Sequence, residues 1–126
     1  MHAILRFLLI LAIPATIVLA LLPAPPAIAG LEADPTKHAV GMGLVTFLGG
    51  AAFPRRSLWA ILLVVALASG TLEFLQGVHP FTRDPDPADW LAGMIGAAIG
   101  AGLLATIRST MLAGARSRRS RPRPNL

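Results

Sequence analysis

Glu73 lies three residues before Gln76 at the end of an apolar run, in the stretch SGTLEFLQGVHPFTRDPDPADW (69–90). Ser69, Glu73 and Gln76 recur at i, i+4 and i+7, which puts them on one face of a helix. An ionisable group inside a greasy segment is costly, faces the bundle interior and takes a partner. Lys37, His38 and Arg83 are the nearest candidates on the same side of the chain's layout, and Asp89 follows as a further carboxylate. In a pocket, Lys37 and Arg83 would meet anionic or carboxylate groups. Glu73, Gln76 and Asp89 would meet ligand amides and hydroxyls or hold the cations in place. Glu73 or His38 could also act as a general base. Two readings stay open: the cluster lines a ligand pocket, or Glu73 pairs with Lys37 or Arg83 and ties helices together.

Other chemistries find less support. The chain has no cysteine, no HExxH and no GxSxG. No nucleophile–base–orienter set emerges, so binding is favoured over catalysis. His38, His79 and Glu73 could ligate a metal, but their spacing does not demand one, and the expectation is no metal and no cofactor. Part of the acidity reads as local structure. In DPTK and DPAD, Asp34 or Asp86 can cap a helix with Pro35 or Pro87 at its first position. Asp89 then falls at the third helical position, where a carboxylate suits the helix dipole. Asp84 reads as a solvated loop charge.

The elements that position these residues are apolar. Hydrophobic residues make up 55% of the 126 and charged ones only 13%, with a mean hydropathy of +0.69, too greasy for a soluble domain of this length. Four blocks predict helices over about 4–22, 37–53, 57–76 and 88–107. The expected fold is all-α, a polytopic transmembrane bundle spanning 1–107. Residues 108–126 form a basic, disordered tail in this reading. The first block also fits a signal peptide ending at Ala27-Ile28-Ala29, which would leave three helices. Gly96 and Gly100 make a small-residue face suited to packing within the bundle or to a homo-oligomer.

Charge sets the orientation. With both termini inside, nine of the eleven basic residues are cytoplasmic and only Lys37 and Arg83 lie outside. All six acidic residues then fall on the outer side. The net charge of +5 does not indicate nucleic acid, because the arginines gather in the tail, which can rest on anionic lipid. The bilayer is the first partner.

DPTKHAVGMGLVTFL resembles the Asp-x-x-Lys-His segment of VanZ-like membrane proteins, and EFLQGVHPFTRDPDPADWLAGMIGAAIG resembles their second signature. Glu73, Gln76, Pro80, Arg83, Asp89, Gly96 and Gly100 fall at matching positions, and the likeness covers about 34–101. Gly93 departs, since the family commonly has Asn there. The resemblance implies a bacterial cytoplasmic-membrane protein of the cell envelope, of a kind linked to resistance to the glycopeptide teicoplanin. The cluster of Lys37, His38, Glu73, Gln76, Arg83 and Asp89 on the outer side leads to the expectation of an amphiphile as ligand, such as a lipid-linked cell-wall precursor, a lipid headgroup or a lipoglycopeptide.

Overall fold

The computed structural model describes residues 1–23, 26–31, 33–78 and 84–119, without the side chains of 117–119. Four helices account for nearly all of this: α1 (His2–Leu21), α2 (Asp34–Ala52), α3 (Leu58–Gln76) and α4 (Pro87–Arg119). The all-helical bundle expected from the sequence is present, with no strand among the described residues.

Local chemistry explains the boundaries. Pro35 opens α2 within its first turn. Phe53 precedes Pro54, which disfavours helical backbone at Phe53, and its φ of −124° and ψ of 67° close the helix. Asp86 caps α4 as expected: its Oδ1 accepts the Ala88 N–H at 2.8 Å. Asp34 does not cap α2. Ala33 occupies that position, and Asp34, already inside the first turn, instead accepts from Lys37.

α4 differs most from expectation. It continues past 107 to Arg119, so the segment predicted as a disordered tail is helical up to that residue. Residues 120–126 lie outside the described part. The added segment is rich in Ala, Leu, Met and Arg, all good helix formers. Its Ser109 and Thr110 hydroxyls donate back to the carbonyls of Thr106 and Ile107.

α2 occupies the centre. It packs against α1, α3 and α4, whereas α1 and α4 make no direct packing contact among the described residues. The α2–α4 seam is the tightest. A Cβ on Gly96 would collide with the Ala39 carbonyl, and one on Gly100 with the Gly43 carbonyl. The two helices therefore run in the same direction with their backbones touching, the close approach that small residues permit. This is an intrachain use of Gly96 and Gly100; a homo-oligomer through the same face would have to displace α2.

α1 and α3 run opposite to this pair. Leu9 of α1 packs with Leu48 and Ala52 of α2, and the Arg6 guanidinium lies 5.2 Å from the centre of the Phe53 ring. On α3, the Trp90 indole of α4 packs beside Gly70 and donates to the Ala66 carbonyl at 3.4 Å.

Three helices are long and apolar enough to cross a membrane: His2–Leu21, Leu58–Gln76 and Pro87–Arg116. They leave Leu11, Trp59, Val64, Leu67, Phe74, Ile95 and Leu103 exposed, the pattern of a surface solvated by lipid. α2 is less apolar because its sides meet other helices. It buries His38, Met42 and Thr46 as well as its glycines Gly49 and Gly50.

Candidate functional site

Side chains from α2, α3 and α4 stack in layers at the end of the bundle where α2 and α4 begin and α3 finishes. Each helix contributes residues one turn apart. α3 supplies Gln76, Glu73 and Ser69, α2 supplies His38, Met42 and Thr46, and α4 supplies Asp89, Gly93 and Ala97. All of these except Gly93 and Met42 are buried polar groups or alanine, and Met42 is itself buried.

The upper layer is His38 between two carboxylates. Its Nδ1 lies 3.3 Å from Glu73 Oε1 and its Nε2 lies 3.7 Å from Asp89 Oδ2. The three residues are 5–8% exposed, so solvent contributes little to holding them. Burying a polar group without compensation costs about 1–3 kcal/mol by mutational measures, and a charge more. Mutual contact among the three offsets that cost. The other oxygen of Glu73, Oε2, accepts the Asp86 N–H at 3.3 Å, which holds the carboxylate so that Oε1 turns toward His38. Asp89 sits in the first turn of α4, where the helix dipole favours negative charge.

The layer beneath is Met42, Ser69 and Gly93. A Cβ on Gly93 would lie 3.1 Å from Ser69 Oγ and 3.2 Å from Met42 Cγ, so these three residues fill the place next to one another. Ser69 Oγ and Thr46 Oγ1 are fully buried and make no hydrogen bond among the described residues. Neither hydroxyl is bonded to His38, so among the described residues neither is activated by the imidazole. Thr46 was not expected from the sequence. Its signal was its place at i+8 from His38, two turns along the same face.

The remaining expected residues separate from this core. Lys37 does not reach Glu73. Its Nζ is 2.9 Å from Asp34 Oδ1, one turn back on its own helix. Adjacent residues on a helix point about 100° apart, so Lys37 and His38 cannot both face inward. Gln76 is not turned to a pocket either. Its Nε2 donates to the Ala20 carbonyl at 2.9 Å, tying the end of α3 to the end of α1. Arg83 and His79 lie outside the described residues, as does Glu32.

A cavity of about 190 Å³ opens between α1 and α2. Ala15, Thr16, Leu19, Val40 and Leu44 form its apolar walls, and Asp34, Lys37 and His38 stand at its polar end. A wider depression on the opposite side is bordered by Glu73, Phe74, Pro85 and Trp90. His38 thus borders the first recess and Glu73 the second.

Although no metal was expected, one group among the described residues is able to hold such an ion. His38, Glu73 and Asp89 each offer a ligand atom, all within 4.8 Å of one another. Asp89 was not in the expected set, and His79, which was, lies outside the described residues. Compared with protein-family models, curated proteins and solved structures, the chain matches none, and the VanZ-like resemblance rests on its motif residues alone.

Proposed function

We propose that this is a small membrane-embedded protein that binds an amphiphile of the bacterial cell envelope in the groove between α1 and α2. The observation that carries the reading is the groove itself: apolar walls lead to a polar end formed by Lys37, Asp34 and His38. An acyl chain suits the walls, and an anionic head suits the Lys37 ammonium. In this reading the end bearing Arg6, Arg55, Arg56 and Arg108 faces the cytoplasm, and the groove's polar end faces the outer leaflet. The ligand class is a lipid-linked cell-wall precursor or a lipoglycopeptide, in line with the resemblance to proteins linked to glycopeptide resistance. Gln76 serves the bundle rather than the ligand, and Lys37 keeps Asp34 as its local counter-charge.

A photoactivatable anionic phospholipid in nanodiscs tests the reading. Crosslinks concentrated on Thr16, Val40 and Leu44, and reduced by Gly41→Leu, are the expected result. A Cβ at Gly41 already approaches Thr16 Cγ2 to 2.9 Å, so a larger side chain fills the groove. Lys37→Ala lowers capture of the anionic probe and spares a zwitterionic one. Labelling spread evenly over the lipid-facing residues of α1, α3 and α4 would sink the proposal. In cells, a deletion strain as tolerant of lipoglycopeptides as its parent would sink the link to resistance.

A further inference from the structure

We infer that His38, Glu73 and Asp89 bind one divalent transition-metal ion, with zinc the chemically preferred occupant. A tetrahedral ion with bonds of about 2.0–2.1 Å sets its ligand atoms roughly 3.3 Å apart. His38 Nδ1 and Glu73 Oε1 already stand at 3.3 Å, and all three ligand atoms lie within 4.8 Å. Asp89 Oδ2 now stands 3.7 Å from the other imidazole nitrogen, Nε2, so binding requires the three side chains to close together around the ion.

The surroundings fit a ligand set. The Asp86 N–H bound to Glu73 Oε2 orients the carboxylate from outside, as the supporting groups of metal ligands do. Independently, Ser69 lies one turn from Glu73 on the same face, 1% exposed, its hydroxyl making no hydrogen bond among the described residues. It provides a polar floor beneath the three ligands, facing the bare Gly93 of α4. Three protein ligands leave a tetrahedral ion one further coordination position. Access exists from both sides, since His38 borders the α1–α2 cavity and Glu73 the recess beside Trp90.

The donor set chooses the metal. With no cysteine in the chain, ions that require thiolate are disfavoured. Magnesium and calcium prefer six or more oxygens. One imidazole with two carboxylates suits zinc, which outranks manganese and iron(II) in affinity for such ligands.

The site shares His38 with the lipid groove, but zinc binding is read without any lipid probe, so either proposal can fail alone. The full chain, purified in detergent with a tag free of histidine and stripped of metal, is titrated with zinc chloride. Calorimetry and elemental analysis after dialysis are expected to give one zinc per chain, with calcium and magnesium not competing. Glu73→Gln and Asp89→Asn each weaken zinc at least about tenfold, and Asp84→Asn, in the exposed loop, leaves it unchanged. Cobalt(II) added to the unmutated protein gives the intense visible absorption of a tetrahedral site, a readout that survives if the variants fail to fold. No zinc bound by the folded wild type, or equal binding after both carboxylate changes, would overturn the inference. So would a cobalt spectrum of the hydrated ion alone.

Discussion

His38 Nδ1 and Glu73 Oε1 meet at 3.3 Å although 34 residues and a helical hairpin separate them in the chain. The contact joins the second turn of α2 to the last turn of α3. It is reinforced from α4 by Asp89, so three helices share one buried polar junction. Because each partner is out of water, removing one strands the others in an apolar setting. The pair should therefore behave as a coupled unit. In a double-mutant cycle of His38→Ala and Glu73→Gln, followed by denaturant titration in micelles, the coupling energy is expected at about 0.5–3 kcal/mol. Effects that simply add, to within a few tenths of a kcal/mol, would show that the contact carries no stability.

Gln76 holds α1 in place through its bond to the Ala20 carbonyl, and both groups are buried. Gln76→Leu keeps the bulk but removes that bond. The expected loss is about 1–3 kcal/mol, concentrated in the docking of α1. Faster protease cleavage between α1 and α2, with the α2–α4 pair still protected in hydrogen exchange, is the signature. Unchanged protection throughout would refute it.

The glycine seam makes a comparison within one helix. A Cβ at Gly96 runs into the Ala39 carbonyl, which is backbone and cannot swing away, whereas a Cβ at Gly102 meets nothing within 4 Å. Gly96→Ala should destabilise by about 1–3 kcal/mol or more through overpacking. Gly102→Ala should stabilise by roughly 0.4–1 kcal/mol, because alanine restricts the unfolded chain. Equal melting temperatures for the two variants would contradict the close α2–α4 contact.

At Gly93 the chain departs from the Asn that the VanZ-like resemblance leads one to expect, and the packing shows what took that space. Met42 Cγ and Ser69 Oγ lie 3.2 and 3.1 Å from where a Cβ would stand. Gly93→Asn alone should therefore lower stability. Combined with Met42→Ala it should cost less than the sum of the two, since the smaller residue makes room and Ser69 Oγ gains a partner. Strict additivity in thermal denaturation would mean that the two sites do not compete for this volume.

Much of the fold could be read from hydropathy, because apolar length and proline positions are local properties. The inward stripe of Ser69, Glu73 and Gln76 was legible for the same reason: helical periodicity put them on one face, and all three are buried. What periodicity could not say was which neighbour each would meet. Lys37 and His38 are equally near Glu73 in the sequence, and only the rotation of α2, set by its glycine contacts with α4, selects the imidazole. Gln76 was read as a ligand contact because its true acceptor is a backbone carbonyl on α1, and main-chain acceptors carry no signature in residue type. Thr46 escaped notice inside an apolar run, where its hydroxyl looks like one more β-branched side chain.

α4 has 33 residues, which at 1.5 Å per residue gives a rod of about 50 Å. A bilayer's hydrocarbon core is only about 30 Å thick. Arg108, whose Nη2 donates to the Gly50 carbonyl at 2.6 Å, marks the level where α2 stops and α4 continues by itself. Beyond it the helix stands as a mast some three turns tall, with Met111 and Leu112 exposed on its flank. Arg119 is thereby set at a distance fixed by a stiff rod rather than by a slack tether. A probe fused there would report the tilt of the whole bundle.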